Sequence, residues 1–347
     1  MPEFIPKAID LFAGCGGLTY GLKKANFDVI SAIELDPVAI STYRLNHPNT
    51  LLLGEDIRDI NPKDWMKSLH LSPGKLDLLA GCPPCQGFSK LRTRNGSKTN
   101  RDSRNRLLLN MADLVSAFRP KAVLMENVPE LAGKAIFKKF IKQLKSLGYH
   151  VNWDIHDVQD FGVPQRRRRL VLVGGAGFDV DFSRKAKLKK TVRMAISDLP
   201  KPGSTGDILH DMPEKRSPDM ELRIELTPKD GGSRTDLPSD FLLECHKRSD
   251  GYKDVYGRMF WDRVSPTITG GCSNPSKGRF LHPEENRNIT MREAALLQTF
   301  PKSFTVPVGT TKSATAQMIG NALPPEFVRR QGLTIRRALI RAKNTRQ

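Results

Sequence analysis

The chain has 347 residues, 38% hydrophobic and 27% charged, with 56 Lys plus Arg against 37 Asp plus Glu and a formal net charge of +19. That length suits about two domains of about 150 residues each, and no apolar run approaches the roughly 18 residues that would carry a helix across a membrane. Met1-Pro2-Glu3-Phe4-Ile5-Pro6 lacks the charged-then-apolar pattern of a leader, and five cysteines, an odd number, suit reduced thiols in the cytoplasm.

In chain order, short apolar runs at 8–12, 29–33, 76–80, 122–125 and 170–173 alternate with amphipathic stretches of helical length. This predicts a doubly wound α/β sheet over residues 1–174. The first run leads into Phe12-Ala13-Gly14-Cys15-Gly16-Gly17-Leu18, a glycine turn that lets backbone approach a ligand. Thr19 stands where a dinucleotide fingerprint wants glycine, which favours a nucleoside cofactor without pyrophosphate. Glu34 ends the second run with Leu35 next to it, and its carboxylate is placed to accept from ribose hydroxyls. Asp36-Pro37 reads as a helix cap and first turn. Asp56-Ile57 closes another extended run, with Asp56 placed to hold an adenine amino group.

The next run ends in Cys82-Pro83-Pro84-Cys85-Gln86-Gly87-Phe88-Ser89. Two prolines fix φ, remove two donors and present Cys85 at the sheet edge where open α/β sheets bind ligands. Cys85 reads as a nucleophile. The same C-x-x-C spacing also suits a redox pair or half a zinc site, although Cys15, Cys245 and Cys272 lie far apart and bring no paired His ligands. Glu126-Asn127-Val128 places a carboxyl group at the same edge as Cys85. Gln165 and Arg166 to Arg169 precede the last run, and strand alternation sends Arg167 and Arg169 to one face.

Basic residues cluster at 90–106, 166–169, 184–193 and 329–346. One cluster alone reads equally well as a solvated face, but several beside an apparent nucleophile point to phosphate contacts. From about 175 the alternation dissolves, and 198–240 is rich in Pro, Gly, Ser and Asp, as in a loop-rich second domain.

Taken in order, these motifs resemble the DNA cytosine-C5 methyltransferase family over most of the chain. Phe12 to Gly17 is similar to its S-adenosylmethionine loop, Pro84-Cys85-Gln86 to its nucleophile segment, Glu126-Asn127-Val128 to its carboxyl segment and Gln165 to Arg169 to its arginine segment. The C-terminal segments 263–269, 290–301 and 320–325 agree in order. The resemblance implies a Rossmann-like S-adenosylmethionine-dependent α/β fold with a small loop-rich target-recognition domain. Its expected parts are a catalytic domain over 1–180, a recognition domain and hinge over 181–309, and a return to the catalytic domain over 310–347.

By the same resemblance, Cys85, Glu126, Arg167 and Arg169 are the expected catalytic residues. The cofactor is expected on Phe12, Ala13, Gly14, Gly16, Gly17, Leu18, Glu34, Leu35, Asp56, Ile57, Pro83, Asn321 and Ala322. DNA is expected on Gln86, Ser89, Arg92, Arg94, Arg101, Arg104 and Gln165. The implied partner is double-stranded DNA, with a cognate restriction endonuclease acting separately, no membrane, no metal and a monomeric enzyme in the cytoplasm at the nucleoid. Cys82 departs from the glycine of the family's nucleophile segment and is expected to be dispensable. A transfer-RNA methyltransferase of the same fold, a silent DNA-binding relative and a thiol or zinc protein remain as competing readings.

Overall fold

A computed structural model describes residues 4–84, 106–244, 251 and 253–345. They fall into two compact units. The first combines Met1–Phe161, Arg168–Lys185 and Leu323–Gln347, and the second Gly162–Arg167 with Ala186–Ala322. The return to the first unit thus begins at Leu323 rather than at 310, and the segment 162–167 joins the second unit.

The first unit is built on a seven-stranded sheet in the order β3-β2-β1-β4-β5-β7-β6. Its strands are β1 (Lys7–Leu11), β2 (Asp28–Ile33), β3 (Leu51–Leu53), β4 (Leu78–Gly81), β5 (Ala122–Asn127), β6 (Tyr149–Asp157) and β7 (Arg168–Ala176). The first five pair in parallel, whereas β7 runs antiparallel between β5 and β6. Parallel strands need covered faces, and helices supply the cover. Helices α1 (Gly17–Lys24), α2 (Pro37–Asn46), α3 (Pro62–Ser68), α4 (Leu107–Phe118) and α5 (Ala135–Ser146) connect the strands.

Local chemistry explains where these helices begin. Asp36 accepts from the backbone of Val38 and Ala39 at 2.9 Å while Pro37 occupies the first turn, and Asn61 caps α3 in the same way. In α5 the buried Phe137, Phe140 and Leu144 fall on one face. They join Met111, Val115 and Phe118 of α4 and Ile9, Leu11, Leu79, Val123, Met125, Leu170 and Leu172 of the sheet in the main core. Alternation sends Asp10, Ala80, Leu124 and Glu126 to the opposite face. The sheet therefore has an apolar side and a side carrying buried polar groups.

The second unit has little regular structure. Among the described residues its helices are α6 (Val192–Ile196), α7 (Pro218–Leu226), α8 (Met291–Leu297) and α9 (Lys312–Asn321); α10 (Pro325–Thr345) then belongs to the first unit. With few ladders available, buried side chains satisfy the backbone. Arg258, fully buried, donates to the carbonyls of Thr227, His282, Glu285 and Ile224 and to Asn286 Oδ1. Thr290 and Glu293 form a capping box on α8, and Glu293 also takes two bonds of 2.8 Å from Arg287.

Candidate active site

At the C-terminal edge of the sheet, β1 passes into a turn in which Phe12, Gly14 and Gly16 take φ of 60°, 55° and 91°. Positive φ in a bulky residue such as Phe12 is an outlier that the surrounding turn must hold in place. Ala13 N donates to Ile33 O at 3.0 Å and Gly16 N to Ala13 O at 2.9 Å. A Cβ on Gly16 would lie 2.3 Å from His47 Nε2, so glycine is required there. His47 donates from Nε2 to Gly16 O at 3.2 Å, and burial, with Lys23 adding to the effect, depresses its pKa to about 3.

Glu34 ties this turn to the next strand end. Its Oε2 accepts from Gly14 N at 2.7 Å, and its Oε1 from Leu35 N at 2.8 Å and Asp36 N at 2.9 Å. Leu35 is 58% exposed, while Ala13 and Leu18 are buried. Asp56 chelates Arg58 through Nε at 2.9 Å and Nη2 at 2.5 Å, which holds its carboxyl below the usual range. Ile57 is buried beside it.

Beneath the turn lies a buried relay. Tyr43 Oη is 2.8 Å from Thr19 Oγ1, which donates to Asp10 Oδ2 at 2.6 Å, and all three residues are fully buried. Asp10 Oδ1 has no hydrogen-bond partner. Burial, opposed by the Thr19 hydroxyl and reinforced by Glu34, pushes the Asp10 carboxyl up to about 7.

The second cluster sits where β4 and β5 end. Glu126, 7% exposed, receives Arg169 Nε at 2.7 Å. Asn127 Nδ2 donates to Pro83 O at 2.9 Å, and Asn127 Oδ1 accepts from Val128 N at the same distance. Asn127 therefore fastens the Pro83-Pro84 turn to the strand end that carries Glu126. Motif reading gave Asn127 no role of its own, although a buried amide at a strand end was the available signal. Cys85 itself lies outside the described residues, as do Gln86, Ser89, Arg92, Arg94, Arg101 and Arg104. Cys82 is described and half-buried; burial and then the Glu126 and Asp10 charges push its thiol well up, which disfavours the thiolate a nucleophile needs.

Arg167 is buried in the second unit and donates to Ile268 O at 2.9 Å and Gly320 O at 3.0 Å, so it clamps two backbone segments. A Cβ on Gly320 would meet Thr269 C at 2.2 Å, which shows how closely the clamped segments approach. Gln165 is also fully buried. It donates to Gln298 Oε1 at 2.8 Å and accepts from Ile268 N at 3.0 Å. Asn321 and Ala322 end α9 in the second unit, with Asn321 exposed. Some basic charge is also neutralised internally, since Arg329 and Arg330 pair with Glu326 and Arg193 with Asp262. No group of metal-ligating side chains is found among the described residues, and Cys15 and Cys272 are buried thiols with pKa pushed up to about 12.

The glycine turn offers a cradle for a nucleoside-bearing cofactor. Gly14's absent side chain would meet nothing within 4 Å, and the exposed Leu35 presents an apolar face next to the Glu34 carboxylate. No helix among the described residues is long and apolar enough to cross a membrane.

Residues 6–337 match the family model described as C-5 cytosine-specific DNA methylase. Among curated proteins, the type II methylase M.HgiDII of Herpetosiphon aurantiacus is 37% identical, with 95% of each chain covered. The type II methyltransferase M1.HphI of Haemophilus parahaemolyticus is 34% identical over 91% of this chain and 83% of its own. Among solved structures, a putative DNA modification methyltransferase encoded within an E. coli prophage superposes with a TM-score of 0.75 at 24% identity, covering 96% of this chain and 99% of that one. Spodoptera frugiperda DNMT2 gives a TM-score of 0.61 at 20% identity over 96% and 99% of the two chains. The structural matches carry the fold.

Proposed function

The chain belongs to the C-5 cytosine-specific DNA methylase family and is a DNA methyltransferase, and on that footing we propose how it works on its substrate. It transfers a methyl group to C5 of a cytosine flipped out of double-stranded DNA, at one short sequence, through a covalent bond from Cys85 to C6. The observation that carries this reading is the buried Glu126, held by Arg169 and joined through Asn127 and Pro83 to the turn that leads into Cys85.

Cytosine C5 is a poor nucleophile while the ring is aromatic. Addition of the Cys85 thiolate to C6 breaks that aromaticity, while Glu126 in its protonated form hydrogen-bonds N3 and faces the amino group, so the electron pair collects at C5. S-adenosylmethionine supplies the electrophilic methyl group and is consumed stoichiometrically. Loss of the C5 proton to a base then expels the Cys85 thiolate and restores the ring as 5-methylcytosine. Arg169 orients the Glu126 carboxyl group throughout, and the Pro83 carbonyl, held by Asn127, lines the same edge. A base inside the duplex cannot reach such a site, so flipping costs about a few kcal/mol, which phosphate contacts must offset.

The glycine turn with Glu34, Leu35 and Ile57 would hold the cofactor. Glu34 fits a ribose diol because its carboxylate is already oriented by three backbone N–H groups. In the cell the enzyme would mark sites that a separate restriction endonuclease cuts, as the type II names of its relatives suggest.

The test is transfer of labelled methyl to unmethylated plasmid DNA, to transfer RNA and to no acceptor, with Cys85→Ser in parallel and bisulfite sequencing of the product. Label in DNA at a recurrent cytosine, lost in Cys85→Ser, is expected. Label in RNA alone would overturn the DNA assignment.

A further inference from the structure

Helix α2 begins at Pro37, shortly after Glu34, and its last turn packs against the glycine turn. Tyr43 is fully buried there, and His47, which closes the helix, is buried as well. Their rings lie 4.8 Å apart, and Tyr20 of α1 meets the His47 ring edge-on at 4.3 Å. The backbone fixes His47 further, with its N–H on Tyr43 O at 2.8 Å and Thr50 N on its own carbonyl at 3.1 Å. Gly16 O accepts twice, from Tyr20 N at 2.9 Å and from His47 Nε2 at 3.2 Å. A carbonyl oxygen only accepts, so Nε2 carries the proton of this buried, neutral ring. In a trans peptide the carbonyl and the following N–H point in opposite directions. Holding Gly16 O toward α2 therefore turns the Gly17 N–H away from it, just where α1 begins.

We propose that His47 and Tyr43 are positioning residues for the cofactor: packed against the turn, they fix the direction of the Gly16–Gly17 peptide and with it the shape of the backbone that faces the ligand. The inference rests on the reading above that this turn holds S-adenosylmethionine. The segment from Glu34 to His47 grips the turn at two points, since the carboxylate accepts from Gly14 N and the imidazole donates to Gly16 O. A third tie runs from Tyr43 Oη to Thr19 Oγ1 at 2.8 Å and on to Asp10 Oδ2 at 2.6 Å, which fastens the first turn of α1 between α2 and β1. The fit is close: a Cβ on Gly16 would lie 3.3 Å from Tyr43 Cδ2 as well as against His47. Both rings are buried, so they act through the backbone of the turn. Without the His47 donor, one of the two bonds that hold this peptide is gone, and the peptide is free to rotate away from the bound shape.

The experiment is titration calorimetry of the full chain with S-adenosylmethionine, with steady-state methyl transfer to DNA in parallel, on the parent, His47→Leu, His47→Gln and Tyr43→Phe. Glutamine keeps an N–H near the place of Nε2, whereas leucine fills similar space without a donor. Affinity is expected to fall about 3- to 10-fold in His47→Leu and about 2- to 5-fold in Tyr43→Phe, the range for one lost hydrogen bond, and by less than about twofold in His47→Gln. KM for the cofactor should rise in the same order while kcat at saturating cofactor stays within about twofold. Because Glu34 and His47 grip one turn, Glu34→Ala combined with His47→Leu should lose less than the product of the two single losses. Should His47→Leu melt below the assay temperature, His47→Ala serves as the variant without a donor. Unchanged affinity in His47→Leu, or equal losses in His47→Leu and His47→Gln, would overturn the proposal. If the order of affinities holds but the parent transfers no methyl to DNA, the proposed function fails and the positioning role stands; if the parent binds no cofactor, both fall.

Discussion

Replacing Arg258 with lysine should unfold the second unit well before the first. The guanidinium is fully buried and serves five acceptors: Ile224 O at 2.7 Å, Thr227 O at 2.9 Å, His282 O at 3.2 Å, Glu285 O at 2.6 Å and Asn286 Oδ1 at 2.6 Å. An ammonium has three donors, so at least two acceptors lose their partner. Each orphaned group costs about 1–3 kcal/mol when buried, and some of these sites are only partly so, which puts the loss at about 2–4 kcal/mol. At about 2–4 °C per kcal/mol for a unit of this size, the melting transition should fall by roughly 5–15 °C. Scanning calorimetry measures the shift, and titration calorimetry with S-adenosylmethionine locates it. Cofactor affinity should persist below the transition because the glycine turn and Glu34 belong to the first unit. A shift below about 1 °C would refute the view that Arg258 organises the unit by hydrogen bonding.

Asp10 gives a prediction with a definite sign in pH. Burial raises its carboxyl to about 7 in the folded chain, against about 4 when unfolded, so between those values only the native state holds the proton and stability falls as pH rises. The stability of Asp10→Asn relative to the parent should therefore increase from about pH 4 to pH 8, by on the order of 2–4 kcal/mol in urea unfolding; a difference that does not vary with pH would sink the argument. Glu34→Ala removes the acceptor for the backbone of Gly14, Leu35 and Asp36. It should weaken S-adenosylmethionine binding by about 10- to 100-fold in titration calorimetry, at about 1.5–3 kcal/mol for bonds to a charged group, and unchanged affinity would place the cofactor elsewhere.

The parts of the site that read directly from sequence are those encoded by local spacing. Glycines after an apolar run, an acid ending the next one, Pro83-Pro84 before Cys85 and Glu126-Asn127 after a buried run each announce a strand end, because apolar periodicity stops where the chain leaves the core. Strand β6 escaped that reading: it is an edge strand, paired only with β7, and its mostly half-buried or exposed residues leave little periodic signal. Short β3 at the other edge left only the extended run that closes at Asp56-Ile57 as its trace.

Other features depend on which segments meet in space. Alternation placed Arg167 and Arg169 on one face, yet β7 begins only at Arg168, so Arg167 turns to Ile268 and Gly320 while Arg169 reaches Glu126. Gln165 finds its partners 133 and 103 residues away, and no local pattern records such a pairing. The boundary at Leu323 has the same origin, since α9 stays with the second unit through the close approach of Gly320 to Thr269. Residue type and spacing thus determined the family and its chemical groups by themselves. Long-range packing decided which arginine meets the carboxylate, because a buried donor takes whichever acceptor the fold leaves without water.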